Sequence, residues 1–65
     1  MITADDITDS QIAALRREAR AAGDYDMANV CTVAMGGEET ATCADVMAAK
    51  RTCAEAINNA AAMAE

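Results

Sequence analysis

Eighteen alanines and not one proline stand in this 65-residue chain, and together they decide most of what it can fold into. Alanine is the best helix former because it has no side-chain freedom to lose, and without proline no segment lacks a helical N–H. β-branched residues nowhere alternate with polar ones over four or more positions, the pattern a half-buried strand requires. The sequence therefore predicts an all-α protein. The same alanines make the core thin. Only eight residues are branched aliphatics: Ile2, Ile7, Ile12, Leu15, Val30, Val33, Val46 and Ile57. Five methionines, three cysteines and Tyr25 complete the apolar supply. A fully buried large aliphatic contributes roughly 1.5–3 kcal/mol before the entropy of ordering the chain is set against it. Either alanine lets the helices approach closely, or further burial comes from self-association or from a partner.

The clearest local signal is "ITDSQI", residues 7–12. Thr8 is placed to be an N-cap and Gln11 the N3 residue of a capping box, with Ile7 and Ile12 as a hydrophobic staple. A first helix is expected from about Asp9 to Gly23, a natural residue just past a helix end, with Ile12, Leu15, Ala19 and Ala22 facing inward. Asp24 can cap a second helix, Tyr25 to Met35, stopped by Gly36-Gly37, with Met27, Val30, Cys31, Ala34 and Met35 as its stripe. A third helix is expected to open on Glu38-Glu39 and run to about Ala64, with Cys43, Val46, Met47, Cys53, Ala54, Ile57 and Ala61 on one face. The reading is one domain of three helices: a hairpin over about 9–35 and a long third helix over about 38–64. At about 1.5 Å per residue the third helix would reach roughly 40 Å against about 20 Å for the first. Its last two turns should overhang, bend or meet another chain. Residues 1–7 read as an extended or frayed leading segment.

The stretch "EARAAGDYDMANVC", residues 18–31, invites two comparisons. Ala19 and Gly23 have the spacing of a helix-turn-helix DNA reader, but the would-be recognition helix has no Arg, Lys or Gln to reach a base edge and carries Asp26 near its start. Gly23, Asp24, Tyr25 and Ala28, with Ile12 and Leu15 before them, resemble the inner turn of a tetratricopeptide repeat, a pair of antiparallel helices of about 34 residues. That resemblance implies a helical hairpin that stacks on its neighbours. Arg16, Thr32 and Thr40 depart from the pattern, where the motif has a small residue, an aromatic and a closing proline. Glycine past one helix followed by an aspartate cap on the next makes such a corner in any family, and a hairpin is the reading adopted.

A net charge of −6 with only five Lys and Arg disfavours nucleic acid and anionic membranes as partners. No histidine is present, so neither a Cys-His nor a Ser-His-Asp nucleophile can be assembled, and a zinc site would need an unusual ligand set. Gly36-Gly37 lacks the Lys and Ser/Thr of a phosphate loop. The sequence thus predicts no enzyme, no metal and no cofactor. Cys31, Cys43 and Cys53 read as small core hydrophobes, reduced as in a cytoplasm. Cys43 and Cys53 are too far apart on one helix to bridge, whereas Cys31 and Cys43 could face each other across Gly36-Gly37. The chain opens on Met1 without a charged-then-apolar leader, and no apolar run approaches a membrane span. A soluble cytoplasmic protein, whole as given, is the expectation.

Two sets of charged residues remain. Asp24, Asp26, Glu38 and Glu39 are either a partner-binding acidic ridge, at its extreme a mimic of nucleic acid, or simply acids in helix first turns. Arg16, Arg17 and Arg20 form the one basic cluster. It is either a face for an anionic partner or a solvated face, with Arg20 placed to meet Asp24. Lys50 falls within the apolar stripe of the third helix and can snorkel toward Glu18 or Asp26. Taken with "LRREARAAGDYDMANVCTVAMGG" and the cysteine-bearing third helix, the chain resembles the short acidic helical proteins of phages, prophages and plasmids. That resemblance implies a stoichiometric binder of a host protein, such as an anti-CRISPR or other anti-defence inhibitor. The alternative is a self-associating accessory module, with Ile57, Ala61 and Met63 buried by a second copy across a two-fold axis, a homodimer.

Overall fold

The computed structural model describes residues 1–63 and contains three helices, α1 (Asp9–Ala21), α2 (Tyr25–Ala34) and α3 (Cys43–Met63). The fold is all-α. The first two helices are fixed by local chemistry at both ends. Thr8 caps α1: its hydroxyl accepts the Gln11 N–H at 3.2 Å, and Gln11 Oε1 accepts the Thr8 N–H at 2.9 Å. Ile7 and Ile12 are both buried in the core on either side of this box. At the far end Gly23 adopts φ +77°, the Asp24 N–H reaches Ala19 O at 2.8 Å and the Gly23 N–H reaches Arg20 O at 3.1 Å. That pair of bonds is a Schellman motif, which satisfies carbonyls α1 would otherwise leave open. The Asp24 carboxylate then accepts the Met27 N–H at 3.2 Å and starts α2. α2 ends in a second Schellman motif at Gly36, also at φ +77°, with Gly37 N–H on Thr32 O and Gly36 N–H on Val33 O.

α3 begins five residues later than Glu38. Thr42 and Asp45 form another capping box: the Asp45 N–H reaches Thr42 Oγ1 at 3.2 Å, and Asp45 Oδ2 accepts the Thr42 N–H at 3.0 Å. Glu38 and Glu39 therefore lie in the connection between α2 and α3, and Asp45 is the acid of the first turn. With 21 residues α3 is roughly 31 Å long rather than 40 Å. It still exceeds α1, whose 13 residues span about 20 Å. Ala64, at the expected end of this helix, lies outside the described residues.

Small residues line the seams. Among the described residues the buried apolar ones are Ile7, Ile12, Ala19, Ala28, Cys31, Ala34, Ala49, Cys53 and Ala54, and no polar residue is buried with them. Only Ile12, Cys31 and Cys53 are both sizeable and fully enclosed. Cys43, Met47 and Ala22, expected on inward stripes, are exposed, while Ala28 and Ala49, not on them, are buried. α2 packs along both other helices, whereas α1 and α3 meet only narrowly. The outcome is a flat molecule of 38 × 26 × 16 Å.

The leading segment is tied down rather than frayed. A turn joins Thr3 O to the N–H groups of Asp6 and Ile7, and Thr3 Oγ1 donates to Asp6 Oδ2 at 2.9 Å. The Asn58 side chain then holds the Ile2 backbone at both of its polar groups. Its Oδ1 accepts the Ile2 N–H at 2.9 Å, and its Nδ2 donates to Ile2 O at 2.8 Å. Ile2 and Ile57 pack against the core beside this clasp.

Candidate functional site

Two surface hollows are built on α1, and they lie on opposite sides of it. The first is bounded by Ala13, Arg16, Arg17 and Arg20 and encloses about 290 Å³. All four residues belong to one helix, so flexible side chains alone give the hollow its shape. Arg16 is half-buried, and its Nε is shielded from solvent without a hydrogen-bond partner. Asp24, the sequence's candidate partner for Arg20, spends its carboxylate on the α2 cap.

The second hollow lies between two helices. Gln11, Ala14, Leu15 and Glu18 of α1 face Ala56, Ile57 and Ala60 of α3 across about 270 Å³. Its floor is apolar, with Leu15 and Ile57 as the only large side chains, and Gln11 and Glu18 form a polar edge on the α1 side. The cause is the narrow meeting of α1 and α3: no third element fills the angle between them, and alanines at positions 14, 56 and 60 are too short to close it. At helical spacing Ala56, Ala60 and Met63 share one ridge, and Ile57 and Ala61 lie beside it. Ala60, Ala61 and Met63 are exposed, Met63 to 86%. The groove thus runs on into an open apolar stripe at the end of α3.

No protein-family model, curated protein or solved structure matches the chain.

The structure gathers the remaining candidate residues only in part. Arg16, Arg17 and Arg20 are brought together on α1. Asp24 and Asp26 stand at the start of α2, and Glu38 and Glu39 lie past its end. The ten residues of α2 separate the two pairs by roughly 15 Å, and no carboxylate occurs between residues 27 and 37. They form no continuous ridge. Glu38 is engaged locally, accepting Thr40 Oγ1 at 3.2 Å. Among the described residues no three Cys, Asp or Glu side chains converge, and no helix is long and apolar enough to cross a membrane. Lys50 is half-buried beside Ala49, and Cys43, the first residue of α3, is exposed.

Cys31 does not face Cys43. It meets Cys53, almost three turns further along α3, with the two sulfurs 3.8 Å apart and the Cys53 thiol donating. Burial, reinforced by the neighbouring Cys31, pushes the Cys53 thiol up from 9.0 to about 12. A thiol so shifted is a poor nucleophile while the fold is closed. Sequence spacing carries no signal for this pair, because its register is set by the connection between α2 and α3 rather than by either helix. Leu15, Ala14, Ala56 and Ala60 are likewise brought together only by the angle between α1 and α3. Ile57, expected beyond the reach of the hairpin, instead packs against the core and faces Leu15 of α1, because α3 is shorter and starts later than the sequence suggests.

Proposed function

We propose that the protein acts without catalysis, by binding another protein in the groove between α1 and α3. The observation that supports this reading is the groove itself: an apolar floor of Leu15 and Ile57, flanked by small residues and edged by Gln11 and Glu18. Such a surface suits the apolar side of a partner helix, in which anchors one turn apart enter between short side chains. The arginine stripe, on the opposite side of α1, lends itself less to the role because one helix alone shapes it. The finer proposal, an inhibitor carried by a phage or other mobile element that blocks a host defence complex in the bacterial cytoplasm, draws on the resemblance of residues 15–37 to short acidic helical proteins of that kind.

The second reading is self-association through the same stripe. The exposed Ala60, Ala61 and Met63 beyond Ile57 favour it, since a second copy would cover them across a two-fold axis. Ala60→Glu separates the possibilities, because Ala60 is exposed and the change leaves the core intact. The tagged chain should retain a stoichiometric protein from a bacterial lysate and sediment as a monomer alone, and Ala60→Glu should lose the partner. A dimer that Ala60→Glu dissociates would favour the second reading. Binding that survives Ala60→Glu but is lost when Arg16, Arg17 and Arg20 become alanine would move the site to the other side of α1.

A further inference from the structure

We propose that Cys31 and Cys53 are a redox-active dithiol, which a small-molecule disulfide of the glutathione class converts into an intramolecular disulfide stapling α2 to α3. The sulfurs are 3.8 Å apart, and the Cys53 thiol donates to Cys31 Sγ. A disulfide requires about 2.05 Å, so the sulfurs must close by roughly 1.8 Å. The surroundings permit that movement. Ala34, Ala49 and Ala54, the buried α2 and α3 residues that share the cluster with the two cysteines, are all alanine. The small shift that brings the sulfurs together therefore meets short side chains on both helices, with Ile7 and Ile12 on the α1 side of the cluster. A cysteine serving only as a small hydrophobe needs no partner sulfur. Here two of the three cysteines are fully buried and directed at each other, while Cys43 is exposed and apart from them.

The chemistry balances with one oxidant. A protein thiol loses its proton, and the thiolate attacks one sulfur of the small disulfide, expelling a small thiolate that takes up a proton. The second protein thiolate then attacks the protein sulfur of this mixed disulfide and expels the other small thiolate. Two protein thiols become one disulfide, and two electrons and two protons pass to the small disulfide, which leaves as two thiols. Neither step can begin in the closed fold, since both cysteines are shut off from solvent and the Cys53 thiol holds its proton up to about 12. Oxidation therefore proceeds through opening of α3 away from α2, and reclosing delivers the second sulfur to the first. The thin core keeps such openings within reach. The staple joins residues 22 positions apart and removes freedom from the unfolded chain.

Cys43→Ser, which removes the exposed thiol and leaves the pair untouched, is the protein to test. Reduced Cys43→Ser is incubated with oxidised glutathione in buffer and in sub-denaturing urea, then followed by intact mass, non-reducing peptide mapping and thermal melting. The expected product is lighter by two hydrogen atoms, carries no glutathione and yields a peptide linking Cys31 to Cys53. It forms several-fold faster in urea, and its melting midpoint rises by roughly 10 °C or more over the reduced form. A product that keeps glutathione on one thiol overturns the proposal, as does a bridged protein that melts below the reduced one. So does the absence of a bridge after complete unfolding and refolding in the same glutathione buffer. A rate unchanged by urea overturns the opening step.

Discussion

The seam between α2 and α3 and the cleft between α1 and α3 use the same small residues to opposite effect. In the seam, Cys31 and Ala34 oppose Ala49, Cys53 and Ala54, and all five are buried. In the cleft, Ala14 opposes Ala56 and Ala60, and a groove of about 270 Å³ is left open. Alanine permits close approach but cannot enforce it; the helices must be brought together by something else. For α2 and α3 that something is the continuous packing of α2 along its neighbours. α1 and α3 meet only narrowly, and the leading segment bridges to α3 through the Asn58 clasp on Ile2, with Ile2 and Ile7 packed against the core. A chain poor in large side chains thus buries the centre of the α2–α3 seam around Cys31, Ala34 and Cys53. It leaves an apolar hollow of about 330 Å³ at the edge of that seam, by Val30, Val33 and Ala48. It also leaves the groove between α1 and α3, which is the basis of the binding role proposed above.

The most damaging change should strike the one large side chain that the core encloses completely. Ile12→Ala, at 0% exposure, should destabilise by about 2–5 kcal/mol, comparable to the whole stability of a domain this small. Loss of the helical circular dichroism signal, or a much lowered urea midpoint, would show it; a shift of a few tenths would mean the core is looser than the packing implies. A paired substitution then sets seam against cleft. Ala34→Leu, at 1% exposure, should cost about 1–3 kcal/mol because it overfills a closed interface. Ala60→Leu, at an exposed position in the open groove, should change the urea midpoint by no more than about 0.5 kcal/mol equivalent. Equal costs would erase the distinction between the two interfaces.

The start of α3 gives a smaller contrast. Thr42→Ala should cost about 0.5–2 kcal/mol through loss of the cap. Glu38→Ala, in the preceding connection, should stay within about 0.5 kcal/mol. The reverse ranking would return the helix start to Glu38. The last contrast, read only by difference, is the alkaline limb of stability. The unfolded chain begins to lose its Cys53 proton near 9.0, while the folded protein keeps it to about 12. The unfolded state binds fewer protons across that interval, so stability is unaffected below about 9 and declines as pH rises from there. Thermal melts between pH 8 and 10, at roughly half-unit steps around the ordinary thiol range, should fall more steeply for the wild type than for Cys53→Ala; parallel curves would remove the shift.

What the sequence reveals and conceals divides along the same line between local and tertiary effects. Thr8 and Gln11, Gly23 and Asp24, and Gly36 mark their helix ends because the groups they satisfy lie within four or five residues in the chain. Thr42 and Asp45 carry an equally local signal, but the acidic pair Glu38-Glu39 mimics the first turn of a helix and draws the boundary forward. The Cys31–Cys53 contact, the Asn58 clasp on Ile2 and the α1–α3 groove depend on how separate segments meet. Neither periodicity nor composition encodes that register when most of the contacting residues are alanine, which fits many alignments equally well.

The binding role proposed for the groove at Leu15, Ile57 and Ala60 can be checked by photo-crosslinking. A photo-crosslinking amino acid placed at Ala60 in a bacterial cell that contains the partner, with a matched placement at Arg17 on the opposite side of α1, tests it most directly. One discrete crosslinked species is expected at position 60, with the mass of this chain plus a different protein, and none at position 17. Crosslinks only to a second copy of the chain, or only from position 17, would contradict that role.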